Sequence, residues 1–207
     1  YALSEAGSGS DAFALTTRAR QEGGDWLVTG RKLWITNGNE AEIFIVFATV
    51  SPDYFFPGCG VYVQEWLGLP TIGALDVRTQ CTGFLYGLSV AEAYIKGGFF
   101  DHILVIGSEV HSTGLDMSTA GRDVSVIFGD GAGAVVVGPS GPGEGILSSH
   151  MHAEGKYAQH LMLEAPASIE NPRLSHEMLD AGRQYGKMNG RYVFTHAVRR
   201  FPEVILE

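Results

Sequence analysis

The spacing of apolar residues changes near residue 50. Before that point apolar positions alternate or run in short blocks, as strands require. Phe13 to Arg20 alternates loosely, Gly23-Gly24-Asp25 supplies turn chemistry, and Trp26 to Thr29 resumes the strand pattern. Asn37-Gly38 is a second turn signal, and Ile43-Phe-Ile-Val-Phe-Ala48 is an apolar run of strand length. After residue 52 helical spacing appears. Gly60 to Leu67 reads as a helix, Ile72 to Val77 as a buried strand, and Gly83 to Lys96 as a second helix. In that second helix Phe84, Leu85, Leu88, Ala91, Tyr94 and Ile95 recur at helical intervals. Ile103 to Ile106, Val124 to Phe128 and Ala134 to Val137 read as further strands. A Gly/Pro-rich stretch follows residue 140, and Gly190 to Leu206 closes the pattern as a helix. Strands alternating with helices predict an α/β fold with a mostly parallel sheet, preceded by a short antiparallel β segment.

Composition narrows the function classes. The 207 residues are 45% hydrophobic and 18% charged, the balance of a folded chain with a real core. A formal net charge of −9 opposes general binding to nucleic acid or to an anionic membrane surface. No apolar run reaches the roughly 18 residues that a bilayer span needs. Two cysteines, Cys59 and Cys81, lie in unrelated contexts, and reduced thiols are the expectation. Residue 1 is tyrosine and the last segment stops within a helical pattern, so the chain reads as cut at both ends.

Cys81 carries the candidate chemistry. The segment Ala74-Leu-Asp-Val-Arg-Thr-Gln-Cys-Thr-Gly-Phe-Leu-Tyr-Gly-Leu88 runs from strand through a turn into a helix, which places Cys81 at or near a helix N-terminus. Free backbone N–H groups there favour a thiolate nucleophile and can hold an oxyanion. Gly83 and Gly87 are expected to leave room for an acyl chain beside the thiol. Position alone leaves open a small buried core cysteine, the commonest setting for a free thiol. Cys59, in Phe-Phe-Pro-Gly-Cys-Gly60, has no comparable setting and is expected to be structural.

Four motifs in order, Pro52-Asp-Tyr-Phe-Phe-Pro57, Asp76-Val-Arg-Thr-Gln-Cys-Thr-Gly-Phe-Leu-Tyr86, Val105-Ile-Gly-Ser-Glu109 and Phe128-Gly-Asp-Gly-Ala-Gly-Ala134, resemble β-ketoacyl-acyl-carrier-protein synthase III over about residues 49–207. The resemblance implies part of a thiolase-like fold, layered α-β-α, in a cytoplasmic homodimer. It implies an acyltransferase of fatty acid synthesis: acyl transfer from acyl-CoA to a cysteine, then condensation with malonyl-acyl carrier protein. Cys81 matches the nucleophile. Arg122 matches an arginine on the adenine end of coenzyme A, a role that suits a guanidinium, although an ordinary surface arginine fits as well. Phe56 matches a loop phenylalanine that reaches across the dimer toward the partner's acyl pocket, with a plain core aromatic as the alternative. The Gly129–Ala134 run lacks the lysine and hydroxyl of a phosphate loop and reads as close backbone packing. The family's catalytic histidine and asparagine are expected downstream of this chain. His150, His152, His160 and His196 match neither role, and no metal site is expected.

The first fifty residues carry a different resemblance. Tyr1-Ala-Leu-Ser-Glu-Ala-Gly-Ser-Gly-Ser-Asp11 and Gly30-Arg-Lys-Leu-Trp-Ile-Thr-Asn-Gly38 resemble the middle β-domain of acyl-CoA dehydrogenases. That resemblance implies an FAD site in which Ser4, Gly9 and Ser10 line the flavin and its pyrophosphate, with Trp34 and Thr36 beside the isoalloxazine. An ordinary hairpin with a Gly/Ser loop is the alternative. The dehydrogenase's helical domains and its glutamate base have no counterpart here, so no dehydrogenase activity is expected. The organisation is therefore expected as 1–50 from one family and 51–207 from the other, a chimera joined near Phe44 to Val50. Beside the acyltransferase, two rival functions stand: an FAD-dependent oxidoreductase fragment, and a catalytically inactive module that binds acyl-CoA or acyl carrier protein.

Overall fold

The computed structural model describes residues 18–22, 25–29 and 43–207. Strands β1 (Arg18–Glu22) and β2 (Asp25–Thr29) pair antiparallel, with Glu22 opposite Asp25 and Arg18 opposite Thr29. This is the hairpin predicted from the alternation and the Gly-Gly turn signal.

From residue 43 the described chain forms two compact units. One holds residues up to Ser108 together with Ala132–Gly145, and the other holds Glu109–Gly131 and Ile146–Glu207. The first is built on a four-stranded sheet in the order β4-β3-β5-β6, with β3 at Ile43–Ala48, β4 at Ala74–Val77, β5 at His102–Glu109 and β6 at Gly131–Val137. β3 runs parallel to both β4 and β5. It falls in the stretch expected to hold the joint, Phe44 to Val50, yet it is a central strand, buried along nearly its whole length. That explains its unbroken apolar run: a strand covered on both faces has no use for alternation.

A helix covers each face of β3. Glycines of α2 (Gly83–Lys96) approach Ala48 and Val46, whereas the start of α1 (Gly60–Trp66) approaches Phe47 on the opposite face. The layering is α-β-α. Phe44, Val46, Ala91, Ile103 and Val105 form the buried centre, with Phe84, Leu88, Tyr94 and Ile95 of α2 packed against it. Leu85, grouped with them by spacing, points elsewhere and is 61% exposed.

The second unit is made of short elements. Val124 to Phe128, expected as a strand, instead contributes to the four-residue helix α3 (Arg122–Ser125) and the turn after it. The physical reason lies upstream. Ser118 accepts the Ala120 N–H at the start of a 3₁₀ turn, Asp123 stands in the first turn of α3, and Val126 and Ile127 are left exposed rather than buried in a sheet. Two-residue strands β7 (Leu161–Met162) and β8 (Lys187–Met188) pair antiparallel. Arg183 bridges Glu164 and Glu170, and Lys187 reaches Glu164 at 2.8 Å. Ser175 caps α4 (His176–Asp180), and Asn189 caps α5 (Gly190–Leu206) by accepting the Tyr192 N–H at 3.2 Å.

Candidate functional site

The site follows from how β4 gives way to α2. β4 ends at Val77, Gln80–Thr82 forms a single 3₁₀ turn, and Gly83 opens α2. Cys81 therefore sits on a turn at the carboxyl end of a parallel strand, the position where open α/β sheets place their ligands. Its thiol is free and the residue is exposed, which removes the buried-core alternative. Thr82 caps α2 without a side-chain hydrogen bond, and the Gly83 N–H that opens the helix donates to the Gln80 carbonyl, so what α2 offers the cysteine is the positive end of its dipole.

Gly83 and Gly87 do not make room for an acyl chain. Both are buried, and a Cβ on Gly83 would stand 3.1 Å from the Ala48 Cβ. One on Gly87 would stand 3.1 Å from Val105 Cγ1 and 3.3 Å from Val46 Cγ1. With Ala91 one turn further on, they form the stripe of small residues on which α2 lies against the sheet. What they provide is close helix–sheet approach, and through it the fixed placement of the turn that bears Cys81.

Asp76 is a residue whose role the sequence reading missed. In the register of β4 it pairs with Phe47, on the face toward α1. Its carboxylate accepts the Cys59 N–H at 2.7 Å and the Gly60 N–H at 3.2 Å. The cap residue Cys59 makes no capping hydrogen bond with its own side chain, so Asp76 caps α1 from 17 residues away. Gly58 has φ +104, and a Cβ there would lie 2.7 Å from Asp76 Oδ2, so both backbone freedom and space require glycine. An acidic residue inside the apolar run Ala74–Val77 was the available signal. Asp76→Ala is expected to lower stability by about 2 kcal/mol, because two buried N–H groups lose a charged acceptor; urea unfolding measures it.

Asp76 ties the cysteine-bearing strand to the loop that carries Phe56. That loop is aromatic and open: Tyr54, Phe55 and Phe56 are 59%, 68% and 89% exposed. Phe56 is thus not a core aromatic. Arg78 places its guanidinium 5.3 Å from the Phe55 ring centroid, a cation–π contact three residues before Cys81. Arg122 opens α3 in the second unit and is exposed. Ser4, Gly9, Ser10, Trp34 and Thr36 lie outside the described residues.

Cys59 behaves differently from Cys81. It is 7% exposed, and burial pushes its thiol above the ordinary value of 9.0, with the Asp53 and Asp76 carboxylates adding to the rise. A small alkylating reagent at mildly alkaline pH is expected to modify Cys81 and spare Cys59, as peptide mapping would show. The sign for stability follows from linkage. The contribution is present below the unfolded thiol's value and is lost as pH climbs through the higher folded one, so stability should fall above about pH 9.

His150, His152, His160 and His196, which the sequence singles out, fall into two pairs. His152 Nε2 lies 2.8 Å from Glu207 Oε2, and His150 Nδ1 lies 3.4 Å from the same oxygen. His160 stacks on Tyr192 at 3.7 Å, and His196 lies 4.4 Å from the same ring. A shallow groove of about 280 Å³ runs past Asn189, Arg191, Tyr192, Thr195 and His196. Among the described residues, no group of three His, Cys, Asp or Glu side chains could hold a metal ion.

Comparison with known proteins places this geometry. Residues 75–155 match the 3-oxoacyl-[acyl-carrier-protein] synthase III family, and residues 1–61 match the middle domain of acyl-CoA dehydrogenase. A β-ketoacyl-[acyl-carrier-protein] synthase III from Chlamydia pneumoniae is 40% identical over 157 residues, covering 75% of this chain and 46% of the relative. The crystal structure of the Aquifex aeolicus synthase III superposes with a TM-score of 0.65 at 35% identity, over 79% of this chain and 47% of that one. The Thermus thermophilus enzyme gives 0.65 at 33% identity, over 77% and 46%. The chain spans about half the length of the curated relatives it matches. Cys81, the turn that holds it and the helix behind it lie inside the synthase III match, so the chain joins a stretch similar to acyl-CoA dehydrogenase middle domains to a longer stretch similar to synthase III.

Proposed function

We propose that Cys81 accepts an acyl group from an acyl-CoA, as the first half-reaction of a synthase III-type acyltransferase. The observation that carries this is the exposed thiol on the turn between β4 and α2, within the segment similar to synthase III. In the step, the deprotonated Sγ attacks the thioester carbonyl carbon. The tetrahedral adduct collapses, the bond from that carbon to the coenzyme A sulfur breaks, and the proton ends on the departing thiol. One thioester replaces another, so no oxidant or reductant is needed. The positive end of the α2 dipole beside Cys81 favours the charge of the transient oxyanion.

The finer roles are part of the same reading. The relatives are named for an acyl carrier protein, which we take as the partner in the onward condensation. Arg122 takes the adenine end of coenzyme A, and Phe56 reaches a partner subunit in a homodimer. The exposure of both residues supports these roles. The 1–50 and 51–207 division is kept as the boundary between the two families, with β3 serving the second. The setting is cytoplasmic; no helix among the described residues is long and apolar enough to cross a membrane.

The test is coenzyme A release. Mixing the protein with acetyl-CoA should liberate about one equivalent of free thiol per chain in a burst, the signature of an accumulating covalent intermediate. No burst above the rate of spontaneous thioester hydrolysis would contradict the reading. A second reading, flavin binding by residues 1–50, is favoured only by the dehydrogenase-domain match at 1–61. Protein that emerges colourless from gel filtration after incubation with FAD would end it.

A further inference from the structure

Acyl transfer as described leaves unexplained the backbone on either side of Cys81. Gln80 has φ +50 and, among the described residues, is the one non-glycine residue in the left-handed region. Side chains with a Cβ rarely adopt that conformation, and it persists only where the surroundings enforce it. Here they do. The Thr79 carbonyl accepts two hydrogen bonds from Thr82, one from its N–H at 3.3 Å and one from its hydroxyl at 2.8 Å. These close a four-residue turn whose middle residues are Gln80 and Cys81. Beyond the turn, Gly83 is packed against Ala48 too tightly for α2 to shift toward the sheet, and before it β4 is fixed by its register with β3. The cysteine is therefore carried on a turn bent against its own preference and clamped by a threonine hydroxyl.

We propose that Gln80 and Thr82 are positioning residues for Cys81. The left-handed step at Gln80 sets where Sγ stands, and the Thr82 hydroxyl holds that step closed. This inference rests on Cys81 being the acyl acceptor. A thiol on a relaxed turn samples more orientations, so fewer collisions with a bound thioester are productive, while binding of the thioester itself is unaltered.

The experiment is single-turnover acylation by acetyl-CoA, followed by quenched intact-mass measurement in Thr82→Val, Thr82→Ser, Gln80→Val and Gln80→Gly. Iodoacetamide labelling and thermal melts are run in parallel. The two valine variants should lower the saturating rate constant by about tenfold, with the half-saturating concentration unchanged. Thr82→Ser keeps the hydroxyl and Gln80→Gly takes the left-handed backbone freely, so both should keep the wild-type rate. Wild-type rates in the valine variants would overturn the proposal, and so would equal losses in all four. If a valine variant fails to melt cooperatively, alanine at the same position replaces it. If the unsubstituted protein takes no acyl group, the acyl-acceptor reading is what fails; the positioning claim is then decided by whether iodoacetamide rates follow the same order of variants.

Discussion

Cys81→Ala carries no acyl group after incubation with acetyl-CoA, whereas Cys59→Ala acquires one per chain. The expectation rests on the contrast between the two thiols. Cys81 is exposed on the turn after β4, at the carboxyl end of the sheet and beside the N-terminal end of α2. Cys59 is buried under the cap that Asp76 places on α1, and that burial makes its thiol harder to ionise. The thiolate is the nucleophile, so a buried neutral thiol with no path to a thioester contributes nothing. Alanine at position 81 removes the attacking atom and leaves the exposed turn otherwise intact, so the variant should melt like the parent. Intact-mass spectra of both variants decide the matter. Equal labelling of the two would show that acylation is unspecific.

Gly87→Val is expected to lower stability by about 3 kcal/mol, measured by urea unfolding. The Cβ alone would stand 3.1 Å from Val105 and 3.3 Å from Val46, and the two methyl groups of valine extend beyond it. Both neighbours are fully buried and belong to adjacent parallel strands, so neither can give way without disturbing the sheet. The helix must lift instead. Because α2 follows the Cys81 turn directly, acylation should decline with every acyl-CoA regardless of chain length. Had Gly87 been a wall of the acyl pocket, the variant would fold normally and reject only longer chains. A variant of unchanged stability with that selective loss would restore the pocket reading.

The periodicity of the sequence made the layered half of the structure legible. β3, β4, α2, β5 and β6 appear where apolar runs and helical spacing placed them, because burial between two layers leaves a strong pattern. The pattern failed where apolar residues stay exposed. Val124 to Phe128 has the composition of a strand, but local capping by Ser118 and the exposure of Val126 and Ile127 send it into α3 and a turn. The short elements after residue 140 are held by caps, by β7–β8 pairing and by the Arg183 ion pairs, none of which leaves a periodic trace.

The site was half legible for similar reasons. A cysteine between a strand and a helix is visible as a motif. The two glycines after it are visible too, but sequence cannot tell a gap for ligand from a gap filled by Ala48, Val46 and Val105. Asp76 escaped because its partners, Cys59 and Gly60, are brought to it only by tertiary folding. Gln80 escaped because glutamine gives no sign of a left-handed backbone; that conformation is imposed by Thr79, Thr82 and the packing of α2.

The most direct test is peptide mapping of the unsubstituted protein after incubation with acetyl-CoA and with longer acyl-CoAs. A single acyl group on the peptide that contains Cys81 is the predicted result, and it would place the nucleophile on the turn between β4 and α2. No adduct on a thiol that iodoacetamide still reaches would contradict the account, because it would show an accessible Cys81 that does not act on acyl thioesters.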